Sequence, residues 1–386
     1  MTKEELHIIR SDEFRTLLET HLNDDPVKIA LSNSIPHAAL LATQVKYLQK
    51  ARKKLPSYYA VRAVMTQKLF EQSSSELSSA NKHFEGTDCV DLTCGLGVDS
   101  LYLSKNFSRV ISVERDEIAS EIARINFKLL GADNIEVVCD SAENFINICP
   151  QVDTIYVDPD RRDGQNKRLA ALEDCSPNIV ALKDAIMSKC RRFVIKSSPL
   201  YDVDEAFKVF GNSVRVNVIS VGGECKEVLI ELCEEIRQPL LRATSGEYGH
   251  YEIEKEQNTA ICTNEFNESY KYLFLPDVAL RKARMADAYM ASEGIEYFEN
   301  NGIGLGNNMP DNFLGKRFET ARIVEYKPKQ LRSLGVRTME IMKMNFPFPT
   351  AQICKDLRVK EGGCDKWMFC KLADRLWAIE IKELTL

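Results

Sequence analysis

Four acidic residues, Asp91, Glu114, Asp140 and Asp158, each stand at or beside the end of a short, β-branched apolar run. Carboxylates spaced in this way can accept hydroxyl and amine hydrogens or face a cation, which is recognition chemistry for a nucleoside or an amino-acid tail. The fourth run, DTIYVD, breaks off in Pro159-Asp160-Arg161-Arg162. Proline fixes its own φ and has no N–H, so the chain must leave a sheet there, and the charges fall on the carboxyl edge of a strand. Ligands bind at that edge in open α/β sheets, which makes DPDRR a candidate site; a solvated, salt-bridged turn is the plainer reading.

The segment VDLTCGLGVDS, Val90 to Ser100, sets Gly95 and Gly97 between a strand and a helix, with Cys94 in the turn. Glycines there let the backbone turn tightly and approach a ligand without interference from Cβ. Asp91 precedes Gly95 by four positions, and Ser100 occupies the place of the third glycine in a dinucleotide fingerprint. A carboxylate beside the turn suits a nucleoside with a cationic amino-acid tail, which is the polarity of S-adenosylmethionine and not that of a pyrophosphate such as NAD. Glu114, followed by Arg115, ends the second run and could accept both ribose hydroxyls. Asp140, followed by Ser141-Ala142, ends the third and could bond the adenine amino group. Any one of these acids could simply cap the next helix; the four together point to one rim.

These residues require a parallel sheet to position them. CVDL, RVISVE, IEVVCD, TIYVD and RFVIKS, spread from Cys89 to Ser197, are nearly continuous apolar runs separated by helix-length segments, the pattern of strands buried on both faces. VRVNVISV (214–221) and KEVLIELC (226–233) are joined only by GGEC. Four residues cannot hold a crossover helix, so these two runs must form an antiparallel hairpin. A parallel sheet ending in a reversed strand resembles the seven-stranded, Rossmann-like sheet of class I methyltransferases more than an all-parallel dinucleotide-binding sheet. Residues 1–80 lack strand-like alternation and carry apolar residues at three- and four-residue spacing, which predicts a helical N-terminal domain. The sheet is expected within 81–238. Beyond it, helical DVALRKARMADAYMAS (277–292) and two terminal strands around Ala373-Asp374 suggest α+β modules, divided here as 239–325 and 326–386.

The chain has 386 residues, 44% hydrophobic and 28% charged, with a net charge of −6. That balance is ordinary for a globular protein and argues against coating long duplexes by neutralising phosphates. It leaves room for local basic patches such as KARKK (50–54), KCRR (189–192) and RKAR (281–284). The twelve cysteines include no C-x-x-C pair, so no metal site is expected and reduced thiols are. The start, MTKEELHIIRSDEF, has neither the apolar core of a signal peptide nor the basic bias of a transit peptide. No run is long enough to span a bilayer, and a cytoplasmic location without membrane partners is expected.

MTQKLFEQSSSE before the first strand, DLTCGLGVDS, VERDEIASEIARINFKLLG and VDPDRR together make the stretch from about Met65 to Cys233 resemble a class I S-adenosylmethionine-dependent methyltransferase. More narrowly it resembles the THUMP-like methyltransferases, relatives of the trimethylguanosine synthases. The C-terminal part resembles that family's ferredoxin-like and THUMP-like modules. The resemblance implies Gln72 and Ser73 near the methionine end of the cofactor, and Asp91, Gly95, Gly97 and Asp99 along the loop. Enzymes of this class that methylate exocyclic amines often carry N/D-P-P-Y/F at the fourth strand; this chain keeps Asp158 and Pro159 but has Asp160 and Arg161 where the second proline and the aromatic ring would stand. Arginine can still stack on a base or grip phosphate, so Arg161, Arg162 and Lys196 are expected to contact substrate, with Asp158, Pro159 and Arg161 at the chemistry. Uridine-carbon methylation needs a cysteine nucleophile, and the fifth strand runs instead into Ser197-Ser198-Pro199. The leading expectation is direct methyl transfer to RNA, tRNA or rRNA. A small molecule or protein substrate, or a non-catalytic RNA- or nucleotide-binding protein on the same scaffold, are the alternatives.

Overall fold

Short polar residues punctuate the first eighty positions, and five of the seven helices there begin where they fall. A computed structural model describes residues 1–160, 172–257, 266, 268–298 and 302–384. Thr2 and Glu5 form a reciprocal capping box at the start of α1 (Lys3–Ile9). Ser11 caps α2 (Asp12–His21), and Asp25 with Pro26 at the first turn starts α3 (Pro26–Ala30). There follow α4 (Ala38–Lys54), α5 (Pro56–Ala60), α6 (Gln67–Gln72, capped by Thr66) and α7 (Glu76–Ala80, capped by Ser75). Residues 1–80 are thus helical as expected.

The sheet that follows contains β1 (Gly86–Asp91), β2 (Phe107–Glu114), β3 (Ile135–Cys139), β4 (Val152–Val157), β5 (Cys190–Ser197), β6 (Val214–Val221) and β7 (Glu224–Cys233). Helices α8 (Val98–Leu103), α9 (Glu117–Leu130), α10 (Ala142–Ile148), α11 (Ile179–Met187) and α12 (Val203–Phe210) fall between strands. The spatial order is β3-β2-β1-β4-β5-β7-β6. Strands β1 to β5 pair in parallel, and β7 runs antiparallel to β5. Gly222 and Gly223, with φ of 63° and 73°, make the two-residue turn that reverses the chain between β6 and β7. Each of the seven predicted strands is present, most of them one to three residues longer at the N-terminal end.

The helices of residues 1–80 share one apolar cluster with the sheet's first two helices. Leu41, Val45, Leu48, Leu55 and Tyr58 pack in the same core as Leu96, Val98, Ile122, Ala123 and Phe127. Two fully buried amides fix the extended segment that leaves this core. Gln44 of α4 accepts from the Met65 N–H (3.0 Å) and donates to its carbonyl (2.6 Å). Asn126 of α9 accepts from the Val64 N–H (2.8 Å) and donates to the Val64 carbonyl (3.0 Å). The two amides supply the hydrogen bonds that a neighbouring strand would otherwise make.

The chain divides into two compact units, residues 1–216 with 227–237, and residues 217–226 with 238–386. The second contains the hairpin β8 (Leu240–Ser245) and β9 (Gly249–Glu254). It also contains a seven-stranded sheet in the order β11-β12-β10-β13-β16-β15-β14, made of β10 (Tyr272–Pro276), β11 (Glu296–Tyr297), β12 (Gly304–Gly306), β13 (Gly315–Glu325), β14 (Thr338–Met344), β15 (Lys360–Leu372) and β16 (Arg375–Glu383). The terminal hairpin turns at Ala373 and Asp374, both at positive φ. The strand β13 ends at Glu325, and strands from both sides of that position share the sheet: residues 315–319 of β13 pair with β10 and residues 318–325 pair with β16. The helix expected over 277–292 is two helices, 278–282 and 286–292, because Arg284 adopts φ 58° between them.

Replacing Asn126 with leucine leaves the buried N–H and carbonyl of Val64 without partners and is expected to lower unfolding free energy by about 2–4 kcal/mol. Urea unfolding of the variant checks this; wild-type stability would show that the clamp is dispensable.

Candidate functional site

The acids of the first unit have two fates, and burial decides between them. Asp91, at the end of β1, is buried behind the glycine turn and is not on the cleft wall. It is 1% exposed and accepts from the Ser100 hydroxyl (2.5 Å) and the Thr93 N–H (3.0 Å). Ser112 of β2 donates onward to Ser100 (2.9 Å). Burial raises the Asp91 carboxyl to about 7, against the pull of its hydrogen bonds. Expected along the cofactor loop, Asp91 is drawn instead to the Ser100 hydroxyl of α8 and the Thr93 N–H, and its side chain forms no part of the cleft wall.

Glu114, at the end of β2, lies on the wall of a cleft of about 1470 Å³. Its two oxygens accept from the backbone N–H groups of Gly95 and Asp116, both at 2.9 Å, and so stitch the glycine turn to the second strand. Gly95 (φ 55°) has no atom near where a Cβ would stand, so its turn opens freely. Gly97 (φ 87°) is needed for the opposite reason: a Cβ there would lie 2.4 Å from the Phe127 ring. Asp140 lies on the same wall after β3, one oxygen held by the Ser141 N–H (2.8 Å) and the Asn144 amide (3.1 Å). Ala142 reaches the wall; Ser141 instead caps α10 through its hydroxyl. Cys94, Asp99, Gln72 and Ser73 also line the cleft, as does Arg115, which donates to the Ser176 hydroxyl (2.9 Å).

Asp158 and Pro159, after β4, complete the rim. The Asp158 N–H donates to the Thr93 hydroxyl (2.7 Å), joining the loops after β1 and β4. One Asp158 oxygen receives the ammonium of Lys196. The other has no hydrogen-bond partner among the described residues, and the side chain is about one-quarter exposed. Arg161 and Arg162 lie outside the described residues.

Lys196, expected to touch substrate, is turned inward. Its side chain is 9% exposed, off the cleft wall, and bonds Ser74 (2.7 Å), Asp99 (3.4 Å) and Asp158. Lys82, from the segment before β1, joins the same group: it bonds Asp99, the Tyr156 hydroxyl (3.1 Å) and Glu227 of β7 (3.2 Å). Asp99 further accepts from Ser74 (3.0 Å), Ser79 (2.5 Å) and Tyr156 (2.9 Å). Burial opposes ionisation of Asp99, but Lys196, Lys82 and these hydroxyls outweigh it and hold the carboxyl well below the usual range. Burial likewise opposes the charge of Lys196, and Asp158, Asp99 and Glu227 reverse that effect and raise it. Ser79, Lys82 and Glu227 join this network although no motif marks them, and they meet Ser74 and Thr93 only in the fold.

An adenosyl amino acid fits this wall. The open turn at Gly95 leaves room for backbone approach, Glu114 and Asp140 offer acceptors on successive strands, and the cleft exceeds the volume of a drug-sized ligand site, about 300–1,000 Å³. Among the described residues no cluster of histidine, cysteine and acidic side chains is arranged to hold a metal ion, and no helix is long and apolar enough to cross a membrane.

The strand order, the reversed seventh strand and a glycine turn opening on a cleft at the carboxyl edge define the class I methyltransferase fold. Residues 60–186 match the family model described as conserved hypothetical protein 95, and residues 315–383 match the THUMP domain-like model. A crystal structure named as a "putative methyltransferase" of Porphyromonas gingivalis W83 is similar over 99% of both chains, with 25% identity and a TM-score of 0.85. An "uncharacterized RNA methyltransferase" of Clostridium acetobutylicum is 33% identical over 131 residues, 32% of this chain and 27% of that protein. A tRNA/tmRNA (uracil-C(5))-methyltransferase of Aliivibrio salmonicida is 30% identical over 128 residues, 26% of this chain and 35% of its own. The chain thus spans about a third or less of these two curated relatives.

Lys196→Met removes one cation from beside buried carboxylates and is expected to destabilise the protein by about 3–5 kcal/mol, read by denaturant unfolding. An unaffected midpoint would show that the cluster does not hold the unit together. Asp91 gives a pH signature. Its carboxyl lies near 7 when folded and near the ordinary value of 3.8 when unfolded, so the folded state keeps the proton longer. Its contribution is full below about pH 4 and is lost as pH rises through about 7, a change of order a few kcal/mol. The stability of wild type relative to Asp91→Asn should therefore fall between pH 4 and 7; a constant difference would place the Asp91 carboxyl in its ordinary range.

Proposed function

We propose that this protein transfers a methyl group from S-adenosylmethionine to RNA, by direct displacement. The observation that carries the reading is the meeting of Glu114, Asp140 and Asp158, from the ends of three strands, on the wall of one cleft beside the Gly95 turn. Glu114 would accept the ribose hydroxyls with the lone pairs its two backbone N–H bonds leave free, and Asp140 would accept from the adenine amino group. Gln72 and Ser73 would stand at the methionine end, with Cys94, Gly97 and Asp99 along the turn. The bound cofactor supplies a methyl group on a positively charged sulfur. Acids on the wall favour that charge, and holding both partners in line accounts for most of the acceleration in such a displacement.

Asp158 is the group assigned to the acceptor. With one oxygen tied to Lys196 and its backbone tied to Thr93, the second oxygen is held at the cleft to receive an N–H or O–H of the nucleophile. Lys196 acts through Asp158 and not on substrate. Direct displacement is favoured over a covalent route by the identity of the wall residues. Beyond β5 the cleft meets Ser197, Ser198 and Pro199. Cys94, in the turn itself, is buried, and burial pushes its thiol well up, away from the reactive thiolate. RNA as acceptor is supported by the THUMP domain-like segment and by the relatives named as RNA methyltransferases.

Calorimetry should detect S-adenosylmethionine and no NADH. Glu114→Ala should weaken the cofactor by roughly 10- to 100-fold, the worth of a charge-assisted hydrogen bond. Asp158→Ala should keep most cofactor affinity yet lower turnover by about 10²-fold or more. Nucleoside mass spectrometry of RNA from cells with and without the gene identifies the product. Absence of binding heat with S-adenosylmethionine would overturn the reading.

A further inference from the structure

Between Pro26 and Phe70 the chain carries eight lysines and arginines and not one aspartate or glutamate, although the whole chain has net charge −6. The fold turns part of that excess into a line. On α4, Lys46, Lys50 and Lys53 follow one another at four- and three-residue spacing, so they share one face of the helix. All three are exposed, and none has an acidic partner among the described residues. Lys46 and Lys50 flank the Tyr47 ring, at 5.4 and 5.2 Å from its centroid. By contrast, Arg62 is neutralised by Glu19 (2.8 Å), and Lys54 is drawn inward to the Phe70 carbonyl (2.7 Å).

This line begins at the cleft. Thr43, one turn before Lys46 on the same face, lies on the cleft wall, and Lys68 of α6 lies on it as well. Over the ten residues from Thr43 to Lys53 the helix rises about 15 Å. Attraction to the negative end of the helix accounts for a basic residue in the last turn such as Lys53, but not for Lys46 and Lys50, which lie further in. Lysine heads on flexible stems suit phosphates as point charges, while the cores of protein interfaces are depleted in lysine.

We infer that the Lys46-Lys50-Lys53 face of α4 is a track for the phosphate backbone of RNA leading into the cleft. The inference rests on the RNA reading above and adds the surface that holds the strand. Neutralising three phosphate contacts changes a measurable quantity, since each contributes about 0.7–0.9 to the slope of log affinity against log salt.

The test uses the full chain and a fluorescein-labelled, unmodified tRNA transcript, with anisotropy measured across a salt series. The triple variant Lys46→Gln/Lys50→Gln/Lys53→Gln is expected to bind the transcript roughly ten-fold or more weakly at low salt, with a slope shallower by about two. The triple arginine variant should restore both. Thermal unfolding and cofactor calorimetry on each variant report whether the fold and the adenosyl site are intact. If wild type and the glutamine variant bind the transcript with equal affinity and slope, the track is elsewhere and the inference is overturned while the RNA reading stands. If wild type binds S-adenosylmethionine but no RNA at any salt, both fall.

Discussion

Asp99 is the acid around which the first unit is organised. It belongs to the helix that follows the glycine turn, yet its five partners come from four other places: Ser74 and Ser79 of the helical block, Lys82 before β1, Tyr156 of β4 and Lys196 of β5. Lys82 and Lys196 in turn engage Glu227 and Asp158, which extends the network to β7 and to the rim of the cleft. Buried charges are expensive unless each finds opposite charge and hydrogen bonds. Here one arrangement of helices, turn and strands satisfies all of them, so the same contacts that keep the charges tolerable also register the cleft's walls against one another.

Asp91 and Asp99 stand eight residues apart in one motif and have opposite acid strengths. Asp91 meets two hydroxyl-bearing residues and no cation, so burial prevails and its carboxyl rises to about 7. Asp99 meets two lysines, and burial is overcome. Proximity to the glycines therefore says little about an acid's strength; the sign of the surroundings sets it.

That contrast marks how far the sequence can be read. The strands were legible because runs buried on both faces are nearly pure Val, Ile and Leu, and the reversed strand was legible because Gly222-Gly223 leaves no room for a helix. Glu114, Asp140 and Asp158 were legible as strand-end acids, and the cleft brings them together. Asp91 and Lys196 were not, because a side chain's direction depends on partners far along the chain: Ser100 and Ser112 for one, Asp99 and Asp158 for the other. Glu227 was hidden for a related reason. It sits within an apolar strand, and nothing nearby announces two lysines waiting for it. In the second unit, strands from both sides of position 325 join one sheet, β13 pairing with β16, a contact between segments about sixty residues apart that no local pattern announces.

The paired amides of Gln44 and Asn126 act as fixed anchor points for a measured length of chain. From Val64 and Met65, where they grip, nine residues lead to Ser74 and its bond to Asp99, so the helix between has both its ends pinned. A segment held in that way has no slack: one residue more or fewer would rotate Gln72 and Ser73 by about 100° around α6 and carry them off the wall. The Gln49 amide of α4 grips the Leu22 and Asp24 carbonyls, so the entrance has a second fixed point ahead of α4.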